Sequence, residues 1–202
     1  MAAEPRIIGS KRLRDAWPPV SEDEVQLPSG ARKTWIRMHL GTSAAILAVT
    51  KEKEIVLTRE YRHGLGRVAF SLPGGTAREG ESPDACARRE LLEETGYEAG
   101  RVLELFSGNS LTAYLDGMLH LFFTRDCRPT NRRPDPDEIT AVERMTVTKA
   151  LAEARSGAFE SLVLTAAILL ADARGWLVTY PLELGGRIEA TIERRPRRCR
   201  SS

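Results

Sequence analysis

Two apolar stretches in the first half of the chain set its pattern. Residues 43–50 and 54–60 each carry a short run of aliphatic side chains, and the charged triplet Lys51-Glu52-Lys53 separates them. Short apolar runs bounded by polar turns predict strands. Residues 67–72 read as a further strand, after which Pro73-Gly74-Gly75 breaks the pattern and a polar loop runs to Ser82. From Pro83 the spacing becomes helical. Ser82 suits the N-cap, Pro83 the first helical position, Asp84 the positive helix end, and Gly96 the C-terminal stop. Strand character returns at 102–106 and 118–124, followed by a proline-containing loop over 127–137 and a last core strand over 139–147. Two helices follow, 149–155 stopped by Gly157 and 161–174 stopped by Gly175. The second is apolar nearly all round, which predicts burial or a subunit contact.

The first 42 residues read as a separate small unit. Pro18, Pro19, Pro28 and Gly30 punctuate it, and residues 24–27 and 33–38 alternate like the arms of a hairpin around Pro28-Ser29-Gly30. Such a β extension is too small to bury a core alone and must pack on something. Strands mixed with helices, without a regular βαβ beat, predict an α/β main domain over 43–180, a mixed sheet with helices on its faces. Residues 181–202 form a tail, and the five arginines at 194–200 read as a disordered end.

Composition narrows the function. Apolar residues make up 42% of the 202 positions, enough for a core, and charged residues 29% with a net charge of only +2. That balance argues against a dedicated nucleic-acid binder, which carries a strongly basic face. Cys86, Cys127 and Cys199 fit neither a metal motif nor a disulfide framework and read as free thiols in a reducing cytoplasm. His39, His63 and His120 are scattered, without zinc-like spacing. The start of the chain lacks an apolar signal core, and the run 162–171 reaches only about half the length of a membrane-crossing helix. A cytoplasmic protein is expected, without membrane partners.

The chemistry concentrates between Gly75 and Tyr97. Glu90, Glu93 and Glu94 stand at i, i+3 and i+4, so a helix gathers them on one face. Like charges so placed repel, and a divalent cation between them would reverse the sign. Mg²⁺ takes carboxylate oxygens together with water and substrate phosphates. Glu81, in the preceding loop, can fold back onto the same face, and Arg88 or Arg89 can orient a glutamate through a bidentate pair. A solvated acidic helix with local ion pairs would show the same helix residues.

The complete spacing goes further. Gly75, Glu81, Arg89, Glu90, Glu93, Glu94 and Gly96 resemble the Nudix box with all of its fixed positions filled. Tyr97 stands where an aliphatic residue is usual. The resemblance implies an α/β/α sandwich in which the box forms loop, helix and loop. It implies a Mg²⁺-dependent (or Mn²⁺-dependent) hydrolase of nucleoside-diphosphate compounds. In that reading Glu90 and Glu94 are the principal metal ligands and Glu93 assists. Glu81 and the backbone carbonyl of Gly74 complete the metal site, and Arg89 orients the glutamates.

The rest of the chain resembles the ADP-ribose pyrophosphatase branch of that family. The similar features are the N-terminal β extension, Glu60-Tyr61-Arg62 at a strand end, and Leu72-Pro73-Gly74-Gly75 leading into the box. The acidic segment Asp135-Pro136-Asp137-Glu138-Ile139 and the Glu153-to-Gly157 helix end also match. The resemblance implies a general base in the acidic segment, Glu138 first, with Asp137 and Asp135 as alternatives. It implies a homodimer that exchanges the extension. Trp35 and Trp17 are then candidate stacking rings, and Arg32, Arg37 and Arg62 candidate phosphate or ribose contacts. A proline usual in the branch about 15 residues after the box is absent between Leu105 and Asp116, which keeps other nucleoside-diphosphate sugars open as substrates. Hydrolysis of triphosphates or capped RNA, and a silent ligand sensor of the same fold, are the alternatives; retention of every box glutamate disfavours the last.

Overall fold

In the computed structural model, residues 4–134, 139 and 141–177 are described. Asp135, Asp137 and Glu138 of the acidic segment, and the expected tail 181–202, lie outside them. The chain begins with β1 (Arg6–Arg14), β2 (Val20–Gln26) and β3 (Arg32–Met38), then β4 (Thr42–Thr50), β5 (Glu54–Arg62), β6 (Arg67–Ser71) and β7 (Gly74–Thr76). Helix α1 (Pro83–Thr95) follows, then β8 (Tyr97–Glu98), β9 (Val102–Gly108), β10 (Met118–Pro129), β11 (Ala141–Thr146), and helices α2 (Val147–Ser156) and α3 (Leu162–Ala173).

Strands β4 to β11 form one eight-stranded sheet along the order β11-β5-β4-β10-β8, with β6 on β5, β7 on β4 and β9 on β10. It is mixed: β4 and β10 run parallel, and their other pairings are antiparallel. Strand β4 is its centre, buried from Ala44 to Thr50, and its period of two divides the core. Ala44, Ile46 and Ala48 pack with Cys86, Ala87 and Leu91 of α1. Ala45, Leu47 and Val49 pack with Ala150 and Ala154 of α2 and with Leu164, Ala167, Ile168 and Ala171 of α3. One helix on one face and two on the other give the expected α/β/α sandwich.

The signals of α1 act as the sequence predicts: the Ser82 side chain accepts from a first-turn backbone N–H, and Gly96 ends the helix in the left-handed conformation at φ 73°. Thr146, which the pattern places in a strand, and Ser161 cap α2 and α3 in the same way. Helix α3 buries Leu164, Ala167, Ile168 and Ala171 but leaves Leu162 and Leu169 exposed. Among the described residues no helix is long and apolar enough to cross a membrane.

Several boundaries differ from expectation. The break at Gly74-Gly75 is a short strand, because β7 pairs with Ala44 and Ala45 of β4. Strand β10 continues past residue 124 to Pro129, carried through a bulge at Arg125 and Asp126 to reach β8. Val147 opens α2 instead of closing β11. Strand β1 was not anticipated, since eight of its nine residues are exposed and no apolar alternation marks it.

Strands β1, β2 and β3 form their own antiparallel sheet. Its interior is largely polar: Asp23 accepts from Ser10 at 2.5 Å and pairs with Arg37 at 2.8 Å. The sheet is tied to the loop before β10 by the Met38 N–H, which donates to Tyr114 O at 2.7 Å. His39 adds a second tie, with Ser21 Oγ 2.7 Å from Nε2 and Asp116 Oδ2 2.5 Å from Nδ1. Ile7, Ile8, Leu13, Trp17, Trp35 and Ile36 remain exposed on this extension.

Candidate active site

The apolar face of α1 settles where its glutamates go. With Cys86, Ala87 and Leu91 fully buried against the sheet, Glu90, Glu93 and Glu94 are left at the edge that faces β7 and the box loop. Two glycines permit the close approach. A Cβ on Gly74 would lie 2.5 Å from the Ala44 carbonyl oxygen, and one on Gly75 only 2.4 Å from Glu90 Oε1. At Gly74 the obstacle is backbone and no side chain fits, whereas a side chain at Gly75 would push the Glu90 carboxylate aside.

Arg89 is the centre of the cluster. Its Nε and Nη2 donate to the two oxygens of Glu81 at 2.8 and 2.9 Å, a bidentate pair. Its Nη1 donates to Glu90 Oε1 at 2.7 Å and to Glu93 Oε2 at 3.0 Å. These bonds, with the Arg78 N–H, hold the Glu81 carboxyl down at about 2. Glu94 stands apart from this knot. It accepts from the Gly74 N–H at 2.9 Å. Burial pushes its pKa up to about 8, with Glu60 and Glu90 adding repulsion and the Gly74 N–H and Arg62 opposing it.

A cavity of about 520 Å³ opens beside this edge, lined by Arg62, Ser71, Leu72, Gly74, Gly75 and Glu160 among others. Arg62 is held by Glu60 at 2.8 Å and by a hydrogen bond to the Ser71 hydroxyl. A larger cavity of about 710 Å³ lies between Arg101, Arg125, Arg128 and Trp176 and touches no residue of the box. Size alone would therefore select the wrong place.

Of the residues singled out from sequence, the structure brings Glu81, Arg89, Glu90, Glu93, Glu94 and Gly74 together, with Arg62 beside them. It does not bring Trp35, Arg32, Arg37 or Trp17 to that cavity within one chain. Trp35 and Arg37 line a separate space of about 460 Å³ with Asp23 and Tyr114. Arg32 pairs with Glu24 at 3.3 Å, and Trp17 is exposed.

Three site neighbours escaped the sequence reading. Glu60 approaches Glu94 from β5, and its place two residues before Arg62, on the same strand face, was an available signal. Arg78 reaches Glu93 Oε2 at 3.4 Å from within the box loop. Arg132 reaches Glu93 Oε1 at 3.3 Å from 39 residues away, and nothing local announces it.

The donor set suits a hard divalent cation by chemistry, since carboxylate oxygens cluster there and Glu94 is held back from ionising mainly by burial, with Glu60 and Glu90 adding to it. The geometry is not preformed. Among the described residues no three acidic, histidine or cysteine side chains converge as a ready cation site, because Glu81, Glu90 and Glu93 are turned to Arg89.

A mixed sheet between helices, with an acidic loop-helix-loop docked on a glycine pair, defines a box-bearing α/β/α fold. The NUDIX domain model matches residues 39–164, and the chain belongs to that family. It is 35% identical over 127 residues to the ADP-ribose pyrophosphatase of Bacillus subtilis (strain 168), covering 62% of this chain and 68% of that protein. It is 33% identical over 132 residues to the methanol dehydrogenase activator of Bacillus methanolicus, 64% and 71% of the respective chains. A GDP-mannose pyrophosphatase of Citrobacter koseri is 30% identical over 128 residues, 58% and 66% of the two. The fold is similar to the crystal structure of an ADP compounds hydrolase, with a TM-score of 0.75 at 21% identity over 88% of this chain and 96% of that one.

Proposed function

We propose that the protein hydrolyses the diphosphate of ADP-ribose or a related nucleoside-diphosphate sugar, releasing a nucleoside monophosphate and a sugar phosphate. The observation that carries this reading is the knot of Glu81, Glu90 and Glu93 on Arg89, with Glu94 on Gly74 beside the cavity that holds Arg62. The names of the relatives, ADP-ribose pyrophosphatase and GDP-mannose pyrophosphatase, support the substrate class.

Glu90 and Glu94 would be the principal donors to Mg²⁺ or Mn²⁺, with Glu93 assisting, Glu81 in support and the Gly74 carbonyl as a further ligand. Bound cations would neutralise the diphosphate and acidify the attacking water. Arg89 sets the orientation of the glutamates, and Arg62 contacts the substrate phosphates from the cavity wall. Glu138, or else Asp137 or Asp135, accepts the proton of the water as its oxygen bonds to phosphorus and the second phosphate departs.

The extension works across a homodimer. Its exposed rings and arginines do not meet the cavity of their own chain, and exchange would place Trp35, Trp17, Arg32 and Arg37 at a partner's site. The buried, unpaired thiols of Cys86 and Cys127 support a reducing, cytoplasmic setting.

A substrate panel tests the reading. Turnover should be fastest with ADP-ribose or another nucleoside-diphosphate sugar, and slow with triphosphates and capped RNA. A preference for triphosphates would overturn the substrate class.

A further inference from the structure

Resting on that hydrolase reading, we propose that Arg78 and Arg132 form a guanidinium clamp that gives up Glu93 to a divalent cation and takes the substrate diphosphate in exchange. The arginines at Glu93 are of two kinds. Arg89 is 16% exposed and tied to three carboxylates and the Thr76 carbonyl, so it is committed. Arg78 and Arg132 are 66% and 50% exposed and grip Glu93 from its two oxygens, Oε2 at 3.4 Å and Oε1 at 3.3 Å. Each oxygen of that carboxylate thus carries at least one guanidinium, with Arg89 also on Oε2. A metal ion therefore competes with them for the carboxylate's lone pairs.

Their backbones are anchored while their heads are loosely held. The Arg78 N–H donates to Glu81 Oε2 at 2.8 Å. The Arg132 segment is pinned to the end of α1, where the Thr130 N–H and hydroxyl both donate to Gly96 O at 2.8 Å. The fit there is tight enough that a Cβ on Gly96 would lie 2.4 Å from the Arg132 carbonyl oxygen. Exposed ion pairs of this length are weak, whereas a guanidinium binds phosphate oxygens through paired, charge-assisted hydrogen bonds. Two long side chains fixed at their bases on either side of the glutamate face are therefore placed to close on a diphosphate there.

The test compares wild type with the Arg78→Gln/Arg132→Gln double variant in two equilibrium measurements. Mn²⁺ binding is read from the paramagnetic resonance of the free ion, without nucleotide. Binding of α,β-methylene-ADP, an uncleavable diphosphate, is read by calorimetry at saturating Mn²⁺. The clamp predicts opposite shifts, Mn²⁺ about threefold tighter and the diphosphate about tenfold weaker. A thermal melt confirms folding, and a merely structural role would lower the melting temperature without opposite shifts. Arg88→Gln, on the same helix as Glu93 but turned to Asp84 and the Gly100 carbonyl, should move neither affinity. Mn²⁺ binding that is unchanged or weaker in the double variant, unchanged diphosphate binding, or an equal effect from Arg88→Gln would each overturn the clamp. If wild type itself binds neither ligand, the hydrolase reading falls with it, whereas failure confined to the variants leaves that reading standing.

Discussion

Glu94 and Glu81 sit on one edge and are driven in opposite directions. The bidentate contact with Arg89 keeps Glu81 ionised to about pH 2, while burial beside Glu60 and Glu90 lifts Glu94 to about 8 from an ordinary 4.5. Between those last two values the folded protein keeps a proton on Glu94 that the unfolded chain has released, so stability falls as pH rises through that window. Glu94→Gln removes the titration. In chelator, its melting temperature should gain on wild type as pH rises from about 4.5 to about 8 and hold a constant lead above that. Parallel pH curves for the two proteins would contradict the burial assigned to Glu94. Glu90, Glu93 and Glu94 are legible as one face because i, i+3, i+4 spacing is a local property of a helix, while the roles of Gly74, Glu81 and Arg89 come from the resemblance to the Nudix box. Arg132 was not, because its contact depends on how β10 returns to the end of α1.

At the scale of elements, the segment between β10 and β11 carries the acidic residues that the box itself does not supply. If the water's proton passes to that segment, Glu138→Gln should lower kcat by at least about 10²-fold, as loss of a general base does, with KM nearly unchanged. Asp135→Asn and Asp137→Asn should have smaller effects. Steady-state kinetics decide this, and three variants all within about threefold of wild type, under ~0.7 kcal/mol, would place the base elsewhere. Elements that were readable in advance have a buried face and a stop signal, as with α1 between Ser82 and Gly96. Those that were missed lack one or the other. Strand β1 shows no alternation because it is exposed almost throughout, and β8 is only two residues long. Val147 continues the apolar pattern of the strand in the sequence, yet it is buried at the start of a helix capped by Thr146.

For the whole molecule, the extension is the least self-sufficient part. Val25 is the one buried apolar residue of its three strands, and its ties to the rest run through Met38, His39 and the 114–116 loop. In the proposed homodimer this sheet would cover a partner's cavity, which would account for both its exposed rings and their distance from the site. Sedimentation should show a dimer at micromolar concentration, and a chain lacking residues 1–38 should be monomeric. Its KM should be raised roughly tenfold, as expected on losing a stacking or charge-assisted contact; a wild-type monomer would refute the arrangement. The central claim, that the acidic edge of α1 works through a bound cation on a diphosphate, is tested most directly by one assay. ADP-ribose hydrolysis is followed with Mg²⁺, with excess EDTA, and in Glu90→Gln and Glu94→Gln. The account predicts Mg²⁺-dependent turnover, none in EDTA, and kcat at least about 10²-fold lower in each variant while both remain folded. Undiminished turnover in EDTA, or near wild-type rates in either variant, would contradict it.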